Sequence, residues 1–170
     1  MKSFLIFLIC WATTNTLTQA QSLNLQQIEN GATEHANLLF TILKKQNQAA
    51  LQTYIIDLAT LQTLARGYSF SSAKEKTNFA SHADIQQARM QKSVQLSYTT
   101  ALSKLKTQGV DLKKCKVLAT TVEIKKDREV PTTRVTVTIG NSKEQHTLYI
   151  DGLAYHNGKW WLVEGYNYWK

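Results

Sequence analysis

Asp151 and Glu164 are the carboxylates best placed to do chemistry in this chain, because they stand among four tyrosines and three tryptophans in LYIDGLAYHNGKWWLVEGYNYW, Leu148 to Trp169. Asn157-Gly158 predicts a two-residue type I′ turn, whose twist suits a β-hairpin. An unbroken register then sets His156 against Lys159, Tyr155 against Trp160, Leu153 against Leu162, Asp151 against Glu164 and Tyr149 against Tyr166, all on one face. Two opposed carboxylates in an apolar hollow repel, so one of them would keep its proton near neutral pH. Such a pair suits proton transfer of the isomerase or dehydratase type, with Tyr149 and Tyr166 as donors to a developing oxyanion. Without chemistry, Tyr149, Asp151, Tyr155, Trp160, Leu162, Glu164 and Tyr166 would line a binding site, since aromatics give large contact area at low entropic cost. The plain alternative puts both acids at a rim, solvated or paired with lysines. The opposite face carries Ile150, Gly152, Ala154, Trp161, Val163 and Gly165. A bulge anywhere in the hairpin would reverse part of the assignment.

Other constellations carry less. His82 and Asp84 diverge on a helix, and His35, His146 and His156 lack the spacing of zinc ligands. There is no Gly-rich phosphate loop and no Gly-x-Ser-x-Gly motif, so neither a metal nor a cofactor is expected. Lys104, Lys106, Lys113, Lys114 and Lys116 cluster around one acid, Asp111. Such a patch can meet an anionic surface, yet it has no interleaved aromatics and no nucleic-acid signature. Lysines at a helix C-terminus also answer the helix dipole.

The elements that must position these residues fall into two blocks. From Gln21 to about Gln108 the apolar spacing is helical and proline is absent. Asn30 to Gln46 predicts a first helix, extended backwards if Gly31 is tolerated. Leu51, Tyr54, Ile55, Leu58, Leu61 and Leu64 predict a second over Gln48 to Arg66, closed by Gly67. Ser72-Ala73-Lys74-Glu75 reads as a capping box opening a long helix to Gly109, with a break near Ser81 to Asp84. Beyond Gly109 the period becomes two, and strands are predicted over Lys116 to Lys126, Thr133 to Ile139, Lys143 to His156 and Lys159 to Trp169. Helices followed by an antiparallel meander make an α+β domain.

Helix-then-strand order ending in DGLAYHNGKWWLVEG resembles the cystatin-like α+β-roll superfamily, which includes nuclear-transport-factor-2-like and ketosteroid-isomerase-like domains. The resemblance rests on Gly158, Lys159, Trp160 and Leu162 and on an acidic-Gly pair before them, and is nearest to exported bacterial members. It implies N-terminal helices on a curved four-stranded sheet, forming a cone that faces Trp160, Leu162 and Glu164. Ligands bind in such cones, ketosteroid-isomerase-like members place a catalytic acid there, and the outer sheet face commonly forms dimers.

The ends bound compartment and partners. MKSFLIFLICWATTNTLTQA has one lysine, an apolar run from Phe4 to Ala12 and a small residue at Ala20. That pattern predicts a signal peptide over residues 1–20 and a secreted or periplasmic domain over 21–170. No later segment is apolar enough to span a bilayer. The formal charge of +8 falls to +7 once Lys2 leaves with the leader. With Cys10 gone, Cys115 has no intrachain partner, and a small core residue is the favoured role for it. The expected partner is a small apolar or aromatic ligand, another protein, or a second copy across the sheet; specific nucleic-acid binding is not expected.

Overall fold

The computed structural model describes residues 25–66, 72–125, 132–141 and 144–169. A first helix, α1, covers 25–44. It is followed by α2 (Gln48–Gln52), α3 (Leu58–Arg66), α4 (Ala73–Ser81) and α5 (Ala83–Thr107). Then come β1 (Lys116–Lys125), β2 (Thr132–Gly140), β3 (Gln145–His156) and β4 (Lys159–Trp169). The strands form one antiparallel sheet in the order β1-β2-β3-β4. The α+β class and the meander expected from the sequence are therefore present. Among the described residues no helix is long and apolar enough to cross a membrane.

α1 reaches back beyond Asn30 because Gly31 has a packing role. A Cβ there would lie 3.3 Å from the indole nitrogen of Trp160, so the missing side chain lets the helix pass over that ring. The second predicted helix is instead two, with an extended link. Thr53 still has helical φ and ψ and caps α2, whereas Ile55 and Ile56 are β-branched and prefer a strand. The link docks beside β4 in parallel, with Leu162 N–H donating to the Tyr54 carbonyl at 2.8 Å and Ile56 N–H donating to the Leu162 carbonyl at 3.3 Å. Its period-two geometry sends Ile55 into one apolar cluster and Ile56 into another. Asp57 then starts α3 by accepting from the Thr60 N–H at 2.7 Å. The break expected near Ser81 to Asp84 falls at His82, between α4 and α5. Gly67 and the Glu75 side chain of the capping box lie outside the described residues, as does the turn over 126–131.

The main core lies between the helices and one sheet face. Leu39, Phe40 and Leu43 of α1 and Val94, Tyr98 and Leu105 of α5 pack against Val135, Val137, Leu148, Ile150, Leu153 and Leu162. A second, smaller cluster sits on the opposite face at the hairpin end. There Ile56, Leu61 and Leu64 cover Ala154, with Phe79, Met90, Trp161 and Val163 around them. The free edge of β4 is covered from Leu162 to Tyr166. The 54–56 link takes Leu162, and α5 supplies Ser93 and Ser97 for the backbone of Glu164 and Tyr166. Covering an edge in this way blocks further strand addition.

Candidate functional site

The hairpin turns where the sequence predicts. Asn157 and Gly158 take positive φ of 50° and 75°, and His156↔Lys159, Tyr155↔Trp160 and Leu153↔Leu162 pair as expected. Beyond Leu162 the register differs, because β4 carries an extra residue between its partners for Leu153 and Asp151. Asp151 opposes Gly165, Ile150 opposes Tyr166 and Tyr149 opposes Asn167. The opposed Asp151–Glu164 pair and the Tyr149–Tyr166 pair are thus corrected by one bulge. A second bulge sits in β3 opposite β2, where Asp151 and Gly152 together face Arg134. Gly152 has φ +64°, a conformation other residues adopt only with strain.

The bulges divide the seven residues singled out in the sequence between two faces. Trp160, Leu162 and Tyr166 point into the main core and are 3%, 0% and 2% exposed. The two with polar atoms are held by a partner there: the Trp160 indole N–H donates to the Ile28 carbonyl at 3.2 Å, and the Tyr166 hydroxyl to that of Leu39 at 3.4 Å. Tyr166 also meets Tyr98 edge-on, with centroids 5.9 Å apart, and burial raises its hydroxyl pKa well above the ordinary value. Tyr155 is half-buried beside Trp160, at 5.2 Å between ring centroids. Tyr149 and Asp151 lie on the outer face.

That outer face holds a charged row. Arg134 pairs with Asp151 through Nε and Oδ1 and lies 5.9 Å from the Tyr149 ring centroid. Glu123 is its direct cross-strand neighbour. The hydrogen bond and charge of Asp151 come first in raising the Arg134 pKa, with Glu123 and Glu164 adding to it. Glu164 is exposed, and its aliphatic stem lies over Gly152. The arrangement is an exposed guanidinium closing over a buried Asp151 carboxylate, 8% exposed, with Glu123 and Glu164 nearby, in place of two acids facing each other in an apolar hollow.

At the hairpin tip Lys159 lies 3.9 Å from the Trp161 ring centroid and 5.8 Å from that of Tyr54. His35, on α1, meets Tyr54 edge-on at 5.3 Å. Burial, and then the Lys159 ammonium, lower its pKa from 6.5 to about 4. Its Nε2 is buried and has no hydrogen-bond partner among the described residues. Among the described residues no three His, Cys, Asp or Glu side chains converge as metal donors.

A concave surface that motif-reading missed lies at the opposite end of the helices. A cleft of about 490 Å³ opens where α1 and α5 end and the 110–113 loop passes beneath them. Leu102, Val110 and Leu112 form its apolar part, while Lys44, Lys106 and Lys113 stand around it. Lys44 donates to the Cys115 carbonyl at 2.7 Å. Asp111, also in the lining, is engaged by Lys114 at 3.3 Å. Beside the cleft Cys115 is 2% exposed, and burial raises its thiol pKa. The lysine cluster was the one sequence signal for this region; the apolar floor comes from separate elements and left no periodic trace.

Comparison with protein-family models, with curated proteins and with solved structures yields no match to this chain.

Proposed function

We propose that the chain is an exported, non-catalytic binding module whose ligand sits in the cleft between the ends of α1 and α5. The observation that carries this reading is the cleft itself: its volume of about 490 Å³ falls within the range of small-molecule sites, and it combines an apolar floor with a few polar groups. The hairpin residues named in the sequence support it indirectly, because Trp160, Leu162 and Tyr166 are committed to core packing. Export is supported by the Lys2, Phe4–Ala12 and Ala20 pattern. A library of small molecules screened by NMR tests the reading. Hits should shift the methyl signals of Leu102, Val110 and Leu112, and Ser103→Trp, which fills the cleft from an exposed helix position, should abolish them. Hits that shift only signals around Trp160 and Tyr166, or a complete lack of hits, would overturn it.

A second reading, a homodimer across the outer sheet face, draws on the half-exposed Thr136, Thr138, Thr147 and Tyr149 there. Sedimentation velocity checks it: a monomer at several hundred micromolar would remove it.

A further inference from the structure

Taking the cleft as the binding surface, an inference that rests on the function proposed above, we infer that its ligand is a small amphiphilic anion. Such a molecule has an apolar body, which lies on Leu102, Val110 and Leu112, and one carboxylate, sulfate or phosphate head, which meets the lysines. The two halves of the cleft require both parts. The floor comes from residues that otherwise pack against the main core, with Leu112 buried and Leu102 and Val110 partly so. Covering the exposed remainder is favourable in proportion to the apolar area removed from water.

The charge around the floor has a definite surplus. Lys44, Lys106 and Lys113 line the cleft. Against them stand Asp111, whose charge Lys114 takes up, and the C-termini of α1 and α5. Each helix end brings roughly half a negative charge. The dipoles therefore absorb about one of the three lysine charges and leave about two, with helix-end duty accounting for only part of the cluster. Lys113 lies outside any helix, in the loop, so no dipole explains its position. Lys44 spends one ammonium hydrogen on the Cys115 carbonyl and keeps two for a ligand. Gln46 and Ser103 in the lining add neutral donors. A neutral apolar ligand would leave the surplus unanswered, and a bare inorganic anion would leave the floor wet.

Titration of the whole chain with decanoate, decyl phosphate, decyl glucoside and inorganic phosphate, each below any micelle concentration, separates these cases. Calorimetry would give affinity and methyl NMR the location. Decanoate or decyl phosphate should bind with shifts at Leu102, Val110 and Leu112, and the tighter of the two identifies the head group. Decyl glucoside and inorganic phosphate should bind at least tenfold more weakly. Lys106→Gln with Lys113→Gln should lower the affinity for the anionic probe at least tenfold with the protein still folding cooperatively and only a small drop in melting temperature from the lost helix-end charge of Lys106, since both lysines are exposed. Added salt should weaken binding in the parent protein and much less in the double variant. Equal binding of decyl glucoside would overturn the inference and leave the cleft as a binding surface. Inorganic phosphate binding as tightly as decyl phosphate, an unaffected double variant, or no binding by any probe would also overturn it. The function proposed above is judged separately by the library and Ser103→Trp.

Discussion

His35 shows what one side chain contributes when burial, more than a neighbouring charge, sets its protonation. It is packed against Tyr54, near the Lys159 ammonium, with its pKa lowered from 6.5 to about 4. Between those values the unfolded chain binds a proton that the folded chain does not. Stability is therefore complete above pH 6.5 and lost as pH falls towards 4. Each pH unit in that window costs about 1.4 kcal/mol, which integrates to about 3 kcal/mol for this group. Urea unfolding at pH 7, 5.5 and 4.5 should show this fall. His35→Phe keeps a ring against Tyr54, removes the titration and the unpartnered Nε2, and should show a fall smaller by about that amount; parallel curves would refute the assignment. Cys115 makes the complementary case. Its thiol is buried and its pKa raised by desolvation, so thiolate, the reactive form, is scarce. Alkylation of the native protein should be slow and should become fast only in denaturant; rapid native labelling would contradict the core role.

At the scale of elements, the last strand is shaped by what presses on it from α5. A Cβ on Gly165 would fall 2.0 Å from the Ser97 hydroxyl and 3.3 Å from the Val94 Cα, and φ there is +131°. Gly165→Ala must push the helix off the strand as well as strain the backbone, at a cost of about 2–4 kcal/mol. Gly152→Ala would set its Cβ 2.6 Å from the Glu164 Cβ, which the β4 backbone fixes, and closer still to the Cγ, so β4 must shift while the φ of +64° is strained, and the cost is likewise about 2–4 kcal/mol. Guanidinium unfolding should show both variants destabilised to a similar extent, and a Gly165→Ala cost below about 1 kcal/mol would mean that α5 does not hold the bulge. This dependence on a distant helix is why the site was only half legible. The strands, their order and the Asn157-Gly158 turn follow from local alternation and turn chemistry. The bulge after Leu162 answers to Ser97, far away in sequence, and nothing in the hairpin itself announces it. The 53–57 link was hidden for another reason: Leu51, Tyr54, Ile55 and Leu58 satisfy helical spacing, while Ile55 and Ile56 equally satisfy a strand with both faces covered. The lysine cluster was visible, but its apolar floor is assembled from α5 and the following loop.

For the whole molecule, β4 is the strand on which both apolar clusters depend, and adjacent tryptophans divide it between them. Trp160 is 3% exposed, lies under Gly31 of α1 and donates to the Ile28 carbonyl. Trp161 points the other way, half-buried against the cluster of Ile56, Leu61 and Leu64, with the Lys159 ammonium 3.9 Å from its ring centroid. The two substitutions should therefore fail differently. Trp160→Ala leaves a large void where helices and sheet meet, and should cost about 3–5 kcal/mol. Trp161→Ala removes a partly exposed ring from the smaller cluster and should cost about 1–2 kcal/mol. The patterns of hydrogen exchange should separate as well, since a small cluster opens at lower free energy than the main core. Trp160→Ala should speed exchange in α1, α5 and the central strands together. Trp161→Ala should speed it mainly in α3 and the hairpin end, leaving β2 and α1 protected. If the Trp161 variant loosened α1 and β2 as much as the Trp160 variant, the sheet would carry one cooperative core through both faces, and the division at β4 would have to be abandoned.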